Sequence, residues 1–159
     1  MAKSCRQLVV EAAFAKLEAI PAVETAGGAF QTPKCELNRR TPLVEEGDEP
    51  DLPFVGLFEA DEIRLPDFSS MHLYELRLVV QIAVKGQGAA AVEFVNTLRA
   101  EVIKALETDY TLGGLARWLE LTDAGDFLGA ETSAETEGAL LAFLVHYATR
   151  EGDPYTFES

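Results

Sequence analysis

The feature that most constrains this chain lies at residues 74–85. Tyr74, Leu76, Leu78, Val80, Ile82 and Val84 alternate with Glu75, Arg77, Val79, Gln81, Ala83 and Lys85. Successive side chains of a strand point to opposite faces, so this period-two pattern predicts one long strand with one buried face. A second run, at residues 137–149, puts Ala139, Leu141, Phe143, Val145 and Tyr147 on one face and Leu140, Ala142, Leu144 and His146 on the other. Apolar side chains on both faces predict a central position in a sheet, or a face covered by another subunit.

Helical spacing frames these strands. Ser4 can cap a helix running to about Ile20, whose apolar stripe is Val10, Ala13, Phe14, Leu17 and Ile20. Pro21 and Gly27-Gly28 end it. Gly86-Gln87-Gly88 turns the chain into a second helix over residues 89–108, with Val92, Val95, Leu98, Val102 and Leu106 as its buried stripe. Thr111-Leu112-Gly113-Gly114 breaks that helix. Shorter strands are expected at residues 35–39, 54–59 and 115–121. Trp118 falls in the last of these and is expected in the core, with an anchor for a partner as the other reading. Residues 122–135 read as a polar turn region in which Asp123 and Asp126 are turn formers. Gly152-Asp153-Pro154 closes the final strand.

The order is α, β, β, β, α, β, β. Strands that follow strands, with few helices, predict an α+β fold: a mixed, mostly antiparallel sheet of four to five strands with two helices packed on one face. Residues 1–159 are about the length of one domain. Two helices on one side leave the other side of a long sheet uncovered, and sheet edges need protection or a partner. Self-association is the expectation.

Residues 41–53 read differently. Glu45, Glu46, Asp48, Glu49 and Asp51 stand among three prolines. Prolines remove ladder donors and the acids repel each other, which predicts a mobile, solvated loop. Its spacing does not match a calcium loop. The acidity extends beyond this loop: 27 acids against 13 bases give a net charge of −14, with 14 of the acids in residues 1–80 and 13 in residues 81–159. Such a surface favours solubility and repels phosphate backbones, so tight nucleic-acid binding is not expected. No apolar run approaches the roughly 20 residues that cross a bilayer, and the charged N-terminal stretch does not read as a signal peptide. Cys5 and Cys35 lack the spacing or the histidine partners of a zinc site, and a reducing compartment is expected.

Catalytic signatures are missing. The chain has no G-x-S-x-G, Walker A, H-E-x-x-H or dinucleotide fingerprint. Gly86-Gln87-Gly88 could set a phosphate on a helix N-terminus, but reads better as a strand-to-helix turn. His72 and His146 read as packed or surface residues. No catalytic residue, metal ligand or cofactor is assigned.

Two segments resemble a known family. Tyr110-Thr111-Leu112-Gly113-Gly114-Leu115-Ala116, shortly after a helix, resembles the turn and strand of tail terminator proteins of long-tailed bacteriophages. The ending from Val145 to Tyr155, a strand with Tyr147 followed by Gly152-Asp153-Pro154, resembles their closing strand. Similar exits occur in other neck proteins and in related gene-transfer particles. The resemblance implies a small α+β protein that forms a ring, commonly a hexamer. That ring caps the finished tail tube, stops its polymerisation, and presents its other face to the head-completion or connector protein. Its partners would be copies of itself, the major tail tube protein and the head-completion protein. Genome DNA would pass through the lumen without specific binding, and the acidic surface would keep it from sticking. The implied location is the tail-neck junction of a virion, made in the host cytoplasm, with no membrane and no catalysis. The candidate interface residues are Glu45, Glu46, Asp48, Glu49, Asp51, Gly113, Gly114, Trp118, Asp153 and Tyr155. The alternatives are another neck or head-completion protein, or a small cytoplasmic α+β ligand-binding or regulatory domain.

Overall fold

The computed structural model describes residues 1–39, 52–66, 70–86, 88–126 and 136–158. Among these residues the chain forms helix α1 (Cys5–Glu18), strands β1 (Val23–Glu24), β2 (Phe30–Gln31), β3 (Lys34–Leu37), β4 (Phe54–Arg64) and β5 (Met71–Lys85), helix α2 (Ala89–Glu107), then β6 (Trp118–Asp126), β7 (Thr136–Arg150) and β8 (Asp153–Phe157).

Helix α1 starts where the sequence places it. Ser4 Oγ accepts from the Gln7 amide at 3.3 Å, and Gln7 Oε1 accepts from the Ser4 amide at 2.9 Å, so two otherwise orphaned donors are satisfied reciprocally. Its buried stripe is Cys5, Val9, Val10, Ala13 and Leu17. Helix α2 buries Ala91, Phe94, Val95, Leu98, Val102 and Leu106. Val92 is therefore not in the stripe: Ala91 and Phe94 take the first turn of the buried face, which rotates Val92 outward, where it is exposed.

The main sheet has the order β3-β4-β5-β7-β6, with β8 pairing the end of β7 beyond β6. The β4–β5, β5–β7, β6–β7 and β7–β8 pairs are antiparallel, and β3–β4 is parallel. Among the described residues this mixed sheet has six strands, β8 being the short addition to those expected. β5 and β7 pair along their whole lengths, from Met71↔Arg150 to Lys85↔Thr136, which puts β7 in the interior of the sheet as its two apolar faces require. β1 and β2 form a separate two-stranded hairpin.

The core lies between one face of the sheet and the two helices. Leu76, Leu78, Val80, Ile82 and Val84 from β5 meet Leu141, Phe143 and Val145 from β7 and Leu98, Val102 and Leu106 from α2. Each such Leu, Val or Phe side chain contributes about 1.5–3 kcal/mol by leaving water. At one end, Tyr147 stacks on Tyr74 with ring centroids 5.3 Å apart, and Phe157 of β8 meets its edge. Arg6 ties α1 to the same end, its Nε 3.0 Å from Glu59 Oε1 and Nη1 3.4 Å from Glu62 Oε1. Asn38 ends β3 in the left-handed region (φ 51°). Its side chain donates to Glu59 Oε2 and accepts from the Glu59 amide, beside the bulge of β4 between Glu59 and Glu62. Cys5 and Cys35 are both free thiols.

Three expectations shift. β6 begins at Trp118, later than predicted, and runs through Asp123 to Asp126, so these two acids belong to a strand and not to a turn. The cause is the loop before it: Leu112 and Ala116 are buried and hold residues 111–116 as a turn, so no strand can form there. Gly152, with φ 73°, does not end the sheet but reverses the chain into β8. The acidic run at 41–51 lies outside the described residues.

Candidate functional site

The face of the sheet opposite the helices is built by the alternate residues of each strand. Their registers define rows. Ile63, Glu75, His146 and Trp118 lie side by side across β4, β5, β7 and β6, and Arg77, Leu144 and Glu120 form part of the next row. Phe58, Val79 and Ala142 follow. Neither helix lies over this face, because the buried stripes of both pack on the other side. Its centre is apolar (Val79, Ala142, Leu144), and charged groups surround it. His146 Nε2 lies 2.8 Å from Glu75 Oε2 across the strand pair. The Phe54 and Phe58 rings close over Gly56 here: a Cβ on it would come within 2.7 Å of the Phe54 ring and 3.0 Å of the Phe58 ring.

Among the described residues both edges of this sheet are open along part of their length. β3 covers β4 only along Phe54 to Leu57, so among the described residues no strand pairs the outer side of residues 58–64. Nor does any described strand pair the outer side of β6. Successive antiparallel pairings make β6 run opposite to β4. Each open strand carries one bulge, between Glu59 and Glu62 in β4 and between Leu121 and Asp123 in β6, and bulges bend and twist an edge.

Gly113 and Gly114 sit in the loop that leads into β6. Leu112, Gly113 and Gly114 adopt positive φ in succession (50°, 72° and 90°), a path that only glycine follows without strain at the second and third positions. The Asp109 carboxylate organises the turn: it accepts from the Thr111 hydroxyl at 2.7 Å, the Thr111 amide at 3.2 Å and the Gly113 amide at 2.8 Å. These bonds, with Lys16 3.5 Å away, hold the carboxyl below its ordinary range. The loop fixes Tyr110 against Trp118, ring centroids 5.0 Å apart. Trp118 is not a core residue as expected. It is 47% exposed, because Leu119 takes the core-facing position and turns its neighbour to the side that no helix covers.

Asp153 and Tyr155 lie at the far end, in β8. Asp153 accepts from the Tyr155 amide at 3.0 Å and shapes the turn, while the Tyr155 ring is exposed. Arg117 Nη2 donates to the Glu158 carbonyl at 3.4 Å, so β8 and the start of β6 form one continuous edge along β7. The structure therefore places Gly113 and Gly114 in the loop that leads to Trp118, and sets Asp153 and Tyr155 in β8 further along β7. Glu45, Glu46, Asp48, Glu49 and Asp51 lie outside the described residues. Ile63 and Tyr110 were missing from the candidate residues. The signal for Ile63 was a lone large apolar residue within the polar run from Glu59 to Arg64.

One cavity, of about 340 Å³, lies at the start of α2 between Thr25, Gln31, Pro53, Lys85 and Phe94. Lys85 is the one ionisable side chain among its described lining residues. Another, about 270 Å³, lies between the helices and is lined by Lys16, Glu101 and Lys104 with apolar neighbours. Among the described residues no group of three His, Cys, Asp or Glu side chains is arranged to hold a metal ion. No helix among them is long and apolar enough to cross a membrane. No protein-family model and no curated protein matches this chain.

Proposed function

We propose that this chain is a structural assembly protein that forms a closed ring, caps the tail tube of a long-tailed phage particle, and offers its other side to the head-completion protein. The observation that carries this reading is the pair of open, oppositely directed edges on a sheet whose helices lie on one side only. A ring requires a heterologous contact that repeats by rotation and closes. Rotation preserves strand direction relative to the axis, so the open edge of β6 meets the open edge of β4 in the next copy as an ordinary antiparallel pair. Continuing the sheet this way removes the edges that would otherwise aggregate.

In such a ring the helices face outward and the helix-free side faces the lumen. Glu36, Glu75 and Glu120 stand on that side with Arg77 and His146. Together with the net charge of −14 per chain, repeated around the ring, these carboxylates disfavour phosphate adsorption and let DNA slide. Lys85 and Arg117 do not gather into a basic patch. Arg117 reaches Met71 at the start of β5, and Lys85 ends the same strand. The protein acts through surfaces, without making or breaking a bond.

The test is negative-stain microscopy of the purified protein with light scattering for mass. Closed rings with a central hole are expected. Particles that stay monomeric or form compact dimers at tens of micromolar overturn the reading.

A further inference from the structure

The ring reading leaves open which residues join neighbouring copies, and the inference drawn here rests on that reading. We infer that Trp118 on the β6 edge of one copy packs against Ile63 on the β4 edge of the next, with Tyr110 backing the tryptophan.

Four observations meet at this pair. Among the described residues the exposed large apolar side chains are few: on the open stretch of β4 the one is Ile63, 50% exposed, and on β6 the one is Trp118, 47% exposed. Both project to the same side of the sheet, since Ile63 is level with Glu75, Glu75 with His146, and His146 with Trp118. They are therefore the two ends of one row, and for strands lying close to the ring axis rotation alone brings them together without axial slip. Strand direction fits as well, because β6 and β4 run oppositely. Finally, the tryptophan is already ordered: Tyr110 holds it at 5.0 Å, and Tyr110 is fixed by the Asp109-centred turn.

Strand register is set by the hydrophobic pattern, and directly opposed side chains across an antiparallel pair have Cβ atoms about 4.5–5.5 Å apart. The helix-side residues of this β4 stretch cannot select the register in that way. Glu59 and Glu62 are carboxylates engaged by Arg6 within their own copy. Aromatic anchors that are rigid before contact lose little freedom on docking, which is why tryptophan dominates so many interfaces.

The chain has a single tryptophan, so its fluorescence reports this contact alone. Assembly of the unmodified protein, followed by dilution, should move Trp118 emission to the blue as the ring forms. Ile63→Asp, at an exposed position, should keep the far-ultraviolet circular dichroism of the parent, weaken assembly at least tenfold in protein concentration, and leave the emission unshifted. Rings of unmodified protein whose Trp118 emission does not move, or Ile63→Asp rings forming at the parent's concentration, would overturn this pairing while leaving the ring itself standing. Unmodified protein that never assembles would instead remove the ring reading, and this pairing with it.

Discussion

The hydroxyl of Tyr147 donates to Glu62 Oε2 at 2.6 Å, linking the interior strand β7 to the bulged stretch of β4. Burial, followed by this bond and the nearby carboxylate charge, pushes the phenol well above its ordinary value. A group whose folded pKa is raised contributes stability that is complete below its unfolded pKa, near 10 for tyrosine, and is lost as pH climbs past that value. Tyr147→Phe should cost about 2 kcal/mol at pH 8, in the range for a hydrogen bond to a charged group. The difference should shrink above about pH 10, because only the parent loses this contribution. Urea unfolding at pH 8 and pH 10.5 measures both.

Asp109 governs the turn that presents Tyr110. Its carboxyl is held low by the Thr111 hydroxyl first and the Gly113 amide next. The sign is the reverse of Tyr147: the turn is supported above the ordinary aspartate range and loses support as pH falls through the lowered value. Asp109→Ala should speed hydrogen exchange at the Gly113 amide and change Trp118 emission, with core amides of β5 and β7 unaffected. Unchanged exchange at Gly113 would show that the backbone holds the turn without the carboxylate.

Gly56 sits beneath two phenylalanine rings, one of them, Phe54, fully buried. An alanine there pushes its methyl into the Phe54 ring, and overpacking of this kind costs about 1–3 kcal/mol. Gly56→Ala should lower the urea midpoint accordingly, while Gly56→Ala combined with Phe54→Leu should recover part of the loss.

Cys35 is an unreactive thiol. Burial first and the Glu18 charge second push it up to about 11, and its Sγ donates to the Leu17 carbonyl at 3.5 Å. At pH 8 the thiolate is then about one part in a thousand. Iodoacetamide should leave Cys35 and the buried Cys5 unmodified for hours in native protein, and label both within minutes in urea. Rapid labelling of one site in native protein would reveal opening between α1 and β3.

The long elements were legible because their patterns are physical consequences of burial. β5 alternates since one of its faces meets the helices, and β7, paired on both edges, adds Leu140, Ala142 and Leu144 to the helix-free face. β1, β2 and β8 were not legible: two to five residues are too few to show a period. β6 was misplaced because Leu112 and Ala116, apolar enough to suggest a strand, instead pin a turn to the core. In α2 the neighbouring Val92 and Ala91 fit adjacent stripes, and only tertiary packing selects Ala91. For the candidate site, Gly113, Gly114 and Trp118 were read from the sequence, and the two glycines lie in the loop that leads to the tryptophan. The exposure of Trp118 was not legible, because it follows from strand register, which brings Leu119 and not Trp118 to the core. Ile63 acquires meaning only once β4 is known to be open beside it.

The placement of β7 carries a consequence for how the chain is made. β5 leaves the ribosome as residues 71–85, yet its partner on one side is β7, residues 136–150. Until that segment emerges, β5 has only β4 beside it, and β6 lacks the one strand that pairs it among the described residues. One edge of β5 therefore stays without its partner strand while residues 86–135 are added. Such long-range closure is intrinsically slow and exposes strand edges to misassociation until β7 is in place.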